Sequence, residues 1–252
     1  MRNRPPIPNS VARQLRQEAG FGCANCGNPI LDYHHIIEWH EKQHFDPDHM
    51  VALCPTCHRQ FGKLSKKRAY HLKQNPFNIR QKRFEGYLGG NGQKKALRVG
   101  SLTVIDCKSA VSFSGNNIFS YALVDEEIQI DAFIPNAKFW PDVEIKGNNI
   151  SAPISEFWDI EFKTNWVKFR KEKGEIFFSV DFRGEFVEIE ARLTILGEPY
   201  VFSKNGIKSQ NGCQFHNGTV SNGTIGLSIG PPGRILRPNF AMVTPRLSHF
   251  NL

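Results

Sequence analysis

The pattern of hydrophobic and polar residues divides the 252-residue chain into a part with helical spacing and a part with alternation. Near the start, apolar side chains recur at helical spacing over residues 11–19, and arginines fall on the opposite face. The pattern predicts these elements in the first part: a helix over 11–19 capped by Asn9 or Ser10, a strand over 33–37, a polar loop over 41–48, a helix over 55–62 and a basic helical run over 63–73. Short helices with little strand are therefore expected before residue 89.

Beyond the glycine-rich stretch 89–92 the spacing changes to the alternation that is typical of strands. Strands are predicted over residues 97–105, 117–123, 128–133, 159–161, 166–169, 175–182 and 186–196. Strand 186–196 alternates apolar with charged residues, which indicates a sheet with one face in water. Such strands predict an antiparallel sandwich or a curved sheet, closed by the glycine-rich residues 205–233. We therefore expect a boundary at 89–92, between domains over 1–88 and 93–252.

Four of the six cysteines have the spacing of a metal site. Cys23 and Cys26 form one Cys-x2-Cys pair, and Cys54 and Cys57 form another, 27 residues further on. Two such turns complete a tetrahedral zinc site, and four sulfur ligands leave no open position for water. The spacing therefore predicts a structural Zn²⁺ that folds this segment. The first residues lack the apolar segment of a signal peptide, so we expect a reducing, cytoplasmic location.

The two remaining cysteines and three of the tryptophans carry weaker expectations. Cys107 and Cys213 are expected to be small buried side chains. Trp140, Trp158 and Trp166 are expected in a core more readily than on a base-stacking surface. The second part of the chain shows no catalytic motif, so its ligand or partner stays unknown.

Histidines are concentrated around the cysteines. A doublet, His34-His35, is followed by Ile36, and His58 directly follows the last cysteine of the pair Cys54-Pro-Thr-Cys57. Together with the first Cys-x2-Cys pair, this set resembles the HNH (ββα-metal) endonuclease family in its four-cysteine form, over about residues 5–63. The resemblance implies an N-terminal zinc-stapled ββα-metal domain. With the strands that alternation predicts beyond the linker, the expected fold is α+β: this domain followed by a mostly antiparallel all-β domain.

The resemblance also implies roles for single residues. His35 matches the general base that activates water, His34 matches the first ligand of a single catalytic metal, and His58 matches a further ligand. The position where the family usually has Asn is His49, which either serves as a third ligand, the role we favour, or holds the loop in shape. His40 and His44 match no motif position and are expected to be solvated.

The chemistry of histidine agrees with these roles. An imidazole titrates near neutral pH, as the removal of a proton from water requires. A divalent metal supplies positive charge beside the leaving oxygen. Mg²⁺, Mn²⁺, Ni²⁺ and Zn²⁺ are all candidates, and imidazole ligands suit Ni²⁺ or Zn²⁺ better than strict Mg²⁺ use.

Charge indicates a phosphate-bearing partner, and the resemblance implies that this partner is DNA. Up to Gly89 there are 14 Lys and Arg against 7 Asp and Glu, whereas the rest of the chain has 18 against 17. A basic part beside a neutral part is typical of a phosphate-binding module attached to another domain. The residues expected to contact the DNA backbone are Arg59, Lys63, Lys66, Lys67 and Arg68.

The sequence therefore predicts a metal-dependent endonuclease acting on DNA, with a role in restriction or phage defence suggested by the architecture. No apolar run approaches the roughly 20 residues that span a bilayer, so no membrane partner is expected. One active centre cuts one strand, so a homodimer is one way to cut both. The alternative is a zinc module that binds nucleic acid without cutting, and the histidines separate the two hypotheses.

Overall fold

A computed structural model describes residues 5–60, 65–89, 96–113, 116–136, 140–195, 197–212 and 214–230. Two compact units divide the chain, one formed by Met1–Gly86, Pro153–Lys163 and Arg170–Lys173 and the other by the remaining residues. Predicted residues 61–64, including Lys63, lie outside the described residues, as do 90–92 of the linker, Cys213 and residues 231–233. The boundary at 89–92, as a limit of independent folding, stays a prediction.

The first unit contains all of the α-helices of the described residues. Its elements are α1 (Asn9–Glu18), β1 (Asp32–His35), β2 (Met50–Leu53), α2 (Pro55–Gln60), α3 (Lys66–Gln74), α4 (Phe77–Gln81), β3 (Arg83–Tyr87, whose last residue falls in the second unit) and β11 (Asp159–Lys163). The order of strand, strand and helix from β1 to α2 agrees with the expected ββα arrangement. None of the helices in the described ranges has the length and apolar character of a membrane-spanning segment.

The start of α1 differs from the prediction. The helix begins at Asn9, and Pro8 occupies the N-cap position without a side-chain cap. The Pro8 carbonyl already accepts a hydrogen bond from the Ala12 N–H at 3.0 Å. Because its fixed φ suits a helix entrance, proline replaces the predicted polar cap.

A buried ion pair ties α1 to β11 within the first unit. Arg16 donates two hydrogen bonds to the Asp159 carboxylate, at 3.0 and 2.8 Å, and a third to the Tyr33 hydroxyl at 3.2 Å. Only 2% of the Asp159 side chain is exposed, and Arg170 lies 3.7 Å from the same carboxylate. Burial lowers the pKa of Arg16, but the hydrogen bonds and charges of Asp159 and Tyr33 together outweigh it and leave the pKa above its ordinary value. Arg16 therefore stays charged.

The strands of the second unit form two sheets. They are β4 (Ala96–Val99), β5 (Leu102–Ile105), β6 (Ser109–Phe113), β7 (Asn116–Val124), β8 (Glu127–Pro135), β9 (Pro141–Lys146), β10 (Asn149–Pro153), β12 (Trp166–Arg170), β13 (Phe178–Asp181), β14 (Val187–Ile195), β15 (Glu198–Ser203), β16 (Gly206–Ser209), β17 (Gln214–Phe215), β18 (Gly218–Ser221) and β19 (Ile225–Ile229). The final residue of β10 and that of β12 belong to the first unit.

Most neighbouring strands of the second unit are antiparallel. One sheet has the order β19-β6-β7-β8-β9-β10, and the other runs from β12 through β17 in chain order. Three pairs are parallel: β14 with β4, β18 with β5, and β19 with β6. The sheets share a core in which the rings of Phe119 and Phe202 lie 5.9 Å apart. The expected mostly antiparallel β domain is confirmed, with parallel additions.

Two predicted strands differ in extent. Residues 97–105 form β4 and β5 joined by a tight turn, because Gly100 has a φ of +59° that ends the extended chain. Predicted strand 175–182 begins only at Phe178. Alternation alone does not distinguish one long strand from two strands joined by a two-residue turn.

We expect Asp159→Asn to lower the free energy of unfolding by about 3–5 kcal/mol, because it removes the charge that compensates buried Arg16. Urea denaturation of the full chain measures this change. Glu85→Gln is the matched control: its carboxylate pairs with Arg83 but is 72% exposed. Exposed pairs contribute about 0–1 kcal/mol, so an equal effect of both substitutions would contradict the assignment.

Candidate metal centre and histidine cluster

The four predicted cysteines lie together. All four Sγ atoms are within 4.8 Å of one another, with Cys26 at 3.8 Å from Cys54 and 3.7 Å from Cys57. A tetrahedral zinc with Zn–S bonds of about 2.3 Å requires sulfur atoms about 3.8 Å apart. The four residues therefore fit one structural Zn²⁺, as the spacing predicted.

Backbone hydrogen bonds position the first cysteine pair. The Ala24 N–H donates to the Ala52 carbonyl at 2.9 Å, and the Phe77 N–H donates to the Ala24 carbonyl at 2.9 Å. The turn between Cys23 and Cys26 is thus held by β2 and by the start of α4. Cys54 directly follows β2 and Cys57 lies in the first turn of α2, so the metal would join the first cysteine turn to the end of β2 and the start of α2.

Asn78 explains why glycine is needed beside the cysteines. Its buried amide donates to the Gly20 carbonyl at 2.9 Å. A Cβ at Gly27, where φ is +80°, would lie 2.6 Å from the Asn78 Oδ1, closer than any real Cβ contact. A side chain at Gly27 would therefore push α4 away from the cysteine turn.

The close packing of the four cysteines changes the pKa values of their thiols. Burial raises the pKa of Cys57 to about 11. Burial also raises the pKa of Cys54, but hydrogen bonds from the Cys57 N–H, at 3.4 Å, and from the neighbouring thiols outweigh it, so that pKa is lowered. Thiolates this close repel one another, so a dication is required to keep all four ionised together.

The hairpin of β1 and β2 places a second group of side chains on one face. Asp32 and His34 are two residues apart on β1 and therefore point to the same side. His58 of α2 faces them: its ring centroid is 5.2 Å from that of His34, and its Nδ1 is 3.3 Å from the Asp32 Oδ2. Both predicted ligands therefore come together beside a carboxylate.

Asp32 was missed by the sequence analysis. Asp32 lies two residues before His34 and directly before the predicted strand 33–37. Had the strand been extended by one residue, the alternation of a strand would have placed Asp32 on the same face as His34. The side chains of His58 and Asp32 are 36% and 47% exposed, so water and a substrate reach them. Two imidazoles and a carboxylate are donors that suit a divalent transition metal or Mn²⁺.

His49 makes other contacts. Its Nδ1 is 2.7 Å from the Tyr70 hydroxyl, and its Nε2 is 3.9 Å from the Asp46 Oδ2. In the described residues, the four cysteines form the group whose ligand atoms lie within 4.8 Å of one another, and neither His49 nor Asp32 completes a comparable group with His34 and His58. These contacts favour the loop-holding alternative for His49, and its role as a ligand stays a prediction.

His35 is held in one orientation. Only 4% of the residue is exposed, and its Nε2 lies 3.0 Å from the His44 carbonyl oxygen. Because a carbonyl only accepts, Nε2 carries the proton of the neutral ring and Nδ1 carries the lone pair. The structure thereby defines the tautomer of the predicted general base.

The expectation that His44 is solvated is wrong, whereas His40 is exposed as predicted. Only 8% of His44 is exposed; its Nε2 is 3.0 Å from the Ile37 carbonyl, and its Nδ1 accepts the Asp46 N–H at 3.1 Å. The backbone of a tightly folded loop needs hydrogen-bond partners, and this ring supplies two. His44 therefore braces the loop whose carbonyl orients His35.

Four of the five predicted DNA-contacting cations lie on α2 and α3, and the fifth, Lys63, is outside the described residues. Arg59 is exposed on α2, and Lys66, Lys67 and Arg68 are exposed in the first turn of α3. Lys66 forms an ion pair with Glu41 at 2.6 Å. Three cations at a helix N-terminus oppose the helix dipole, so helix stability does not explain their placement.

The segment that contains this site also matches a known protein family. Residues 23–63 match the family model described as HNH endonuclease, and they contain the cysteine turns, the hairpin and α2. The resemblance noted in the sequence is thereby confirmed for this segment. Comparison with curated proteins and with solved structures found no match.

We expect Cys26→Ser or Cys57→Ser to abolish zinc binding and unfold the first unit, since metal affinity there is folding free energy. Elemental analysis of protein purified without chelators should give one zinc per chain in the wild type. Cys107→Ser is the control, because Cys107 is buried but lies in the second unit and donates to the Ile105 carbonyl. A zinc-free wild-type protein would refute the structural site.

Proposed function

We propose that the protein is a metal-dependent endonuclease that hydrolyses DNA phosphodiester bonds. The observation that supports this most is the orientation of His35 by the His44 carbonyl, on the same hairpin that brings His34 towards His58. A module that only binds nucleic acid has no need of a fixed tautomer beside two further imidazoles. The HNH match over residues 23–63 agrees with the proposal.

His35 acts as the general base in this proposal. The neutral ring accepts a proton from the attacking water at Nδ1, while Nε2–H stays hydrogen-bonded to the His44 carbonyl. The aromatic rings of Trp39 and Phe45, whose centroids lie 5.6 and 6.1 Å from that of His35, limit the ring to this orientation.

His34 and His58 would hold a single divalent metal, with Asp32 as a third donor or as the group that orients His58. The metal would supply the charge that stabilises the phosphoryl group and the leaving oxygen. His49 is the remaining candidate ligand. The preferred ion among Mg²⁺, Mn²⁺, Ni²⁺ and Zn²⁺ follows from assays with each.

The first turn of α3 supplies the contact with the DNA backbone. Lys66, Lys67 and Arg68 add positive charge to N–H groups that already favour anions at a helix start. Such contacts fix the position of DNA without reading its sequence. Arg59 on α2, and Lys63 between the two helices in sequence, extend the same basic segment.

The wider role belongs to the same proposal. A cytoplasmic location agrees with metal-type cysteines, and a restriction or phage-defence role rests on the joining of a nuclease segment to a separate β domain. A homodimer would bring two active centres to the two strands of a duplex.

The alternative is a zinc module that binds nucleic acid without cutting it. The burial of His35, of which 4% is exposed, favours this alternative because a general base must reach water. Nicking of supercoiled plasmid in the presence of each candidate metal separates the two functions.

We expect His35→Ala to reduce plasmid nicking by at least about 100-fold, which is the lower end of the usual contribution of a general base. Zinc content should not change, because the cysteines are separate. His40→Ala, an exposed histidine of the same loop, should nick at the wild-type rate. If His35→Ala keeps more than about a hundredth of the activity, His35 is not the base.

A graded variant tests how His35 is oriented. His44→Ala should lower the rate of plasmid nicking by about 10- to 100-fold, which is the usual effect of losing a group that orients a functional imidazole. The KM for plasmid should stay constant, because His44 is buried and does not touch DNA. A rise in KM at unchanged kcat would contradict this role.

We expect neutralisation of Lys66, Lys67 and Arg68 to alanine to weaken duplex binding and to reduce its salt dependence. Each lost phosphate contact lowers the slope of log K against log salt by about 0.9, so the triple variant should lose about 2–3. Binding is measured in His35→Ala protein, which does not cut. The control replaces Lys163, Lys171 and Lys173, which are exposed cations of the same unit. Equal slopes for the two triple variants would show a general charge effect.

A further inference from the structure

A row of side chains on one face of a sheet crosses six strands of the second unit; five of them are at least partly exposed, and one, Thr103, is buried. On β14, Val187 and Ile189 are buried while Glu188 between them faces water. The pairing register extends this row in both directions from Glu188. Its members, each directly opposite the next, are Trp166 on β12, Asp181 on β13, Glu188 on β14, Arg98 on β4, Thr103 on β5 and Thr219 on β18. We call this set the cross-strand row.

The row is long enough for a stretch of a polymer. Neighbouring strands lie about 4.8 Å apart, so six strands give a row about 24 Å long. One nucleic-acid strand in B form rises about 3.4 Å per nucleotide, so the row matches several nucleotides.

Trp166 provides an aromatic surface at one end of the row. The Lys168 Nζ and the Arg183 Cζ lie 5.3 and 5.4 Å from the ring centroid, and Arg183 is anchored to the Asp181 carboxylate at 2.6 Å. The expectation that these tryptophans are core residues is wrong for Trp140, which is 54% exposed, and Trp166 is only half-buried. An aromatic ring flanked by cations suits a stacked base beside its phosphate.

A polar cavity of about 480 Å³ lies at the other end of the row. Arg98 and Lys204 both pair with Glu188, at 3.4 and 2.7 Å, so two positive charges share one carboxylate. The hydroxyls of Ser101 and Thr219 also line the cavity. Glu190 and Asp181 also act on Lys204, but of the charged residues that line the cavity itself two are positive and one is negative. This excess of one positive charge in the lining, with hydroxyl donors, suits a phosphate group better than an apolar ligand.

A single strand fits these features better than a duplex. The bases of a duplex are stacked and paired, so their faces do not reach a tryptophan on a sheet. The carboxylates of Asp181 and Glu188 also leave too little positive charge for the phosphate density of two strands. A single strand offers both free base faces and half the charge.

We propose that the cross-strand row binds single-stranded DNA, with a base on Trp166 and a phosphate in the cavity beside Arg98 and Lys204. The inference rests on the proposed function in that DNA is the substrate, and it assigns to the second unit the recognition of unpaired strands. It requires no cleavage and is tested without it.

The test measures the binding of a fluorescein-labelled oligothymidylate to full-length His35→Ala protein by fluorescence anisotropy. Trp166→Ala should weaken binding by about 5- to 100-fold, the cost of one base–aromatic stack. Lys204→Ala should weaken binding and lower the salt slope by about 0.7, as expected for one contact with a single strand. Lys204 is 62% exposed, so its removal leaves the fold intact.

Matched controls come from the other sheet of the same unit. Trp140→Ala removes an exposed tryptophan, and Lys146→Ala removes a 52% exposed lysine that pairs with Glu144. Both should bind as the parent does. Trp166→Phe against Trp166→Leu provides a second comparison that keeps apolar volume, and Phe should bind more tightly because it stacks.

The inference is overturned if Trp166→Ala binds like Trp140→Ala and Phe and Leu at position 166 are equal, or if Lys204→Ala binds like Lys146→Ala. Loss of strand binding in these variants does not depend on catalysis. A wild-type protein that fails to nick plasmid refutes the nuclease proposal and leaves the binding result standing. Equal binding by all variants, with nicking that depends on His35, refutes only the cross-strand row.

Discussion

The four-cysteine centre is the constraint on which the candidate active site depends. β1 and β2 pair over four residues each, and an isolated two-stranded hairpin of this kind is marginal in water. A zinc held by Cys23, Cys26, Cys54 and Cys57 would join the turn after α1 to the end of β2 and the start of α2. His58 follows Cys57 directly, so the metal that folds the segment also sets how closely this imidazole approaches His34 on β1.

The four-cysteine site and the histidine face of the hairpin differ in how open they are to solvent. Four sulfur donors close the coordination sphere of one metal and give a rigid frame, which leaves no place for a reacting water. The histidine face of the hairpin is different, because His58 and Asp32 are partly exposed and accessible to substrate. In the proposed function, the four sulfur ligands stabilise the segment, and the partly exposed side chains of the histidine face take part in the chemistry. His35 ends β1, and the loop that follows carries His44, whose carbonyl accepts the His35 Nε2–H before the chain returns to β2.

The parts of the site that the sequence predicted are those with short-range spacing. Cysteine pairs two residues apart and the doublet His34-His35 reveal ligands, because their chemistry depends on local geometry. The bracing by His44 depends on how a loop folds back on itself, and a polar loop composition does not distinguish a buried ring from a solvated one. The cross-strand row was also hidden, since it is assembled from six strands between residues 98 and 219 and exists only through their register. Alternation predicted that one face of β14 is exposed to water. The residues beside Glu188 on that face are set by which strands pair with β14 and in which register, and alternation does not predict either.

Long-range pairing also changes how the two parts of the chain relate in sequence. The compact unit that contains the cysteine centre includes Pro153–Lys163, which follows seven strands of the second unit along the chain, and Arg170–Lys173, which follows an eighth, β12. Asp159 in the first of these segments is the buried partner of Arg16, and Arg16 also donates to the hydroxyl of Tyr33, the residue before His34. A buried arginine that loses its carboxylate costs about 3–5 kcal/mol, which is a large part of the stability of a small unit. Charge and residue spacing both change near residue 89. The ion pair shows that the first unit nevertheless includes a stabilising residue, Asp159, from a later part of the sequence. Strand β1 carries the histidine doublet. Its position therefore depends on the cysteine centre and also on the carboxylate of Asp159, which lies 127 residues after Asp32, the first residue of the strand.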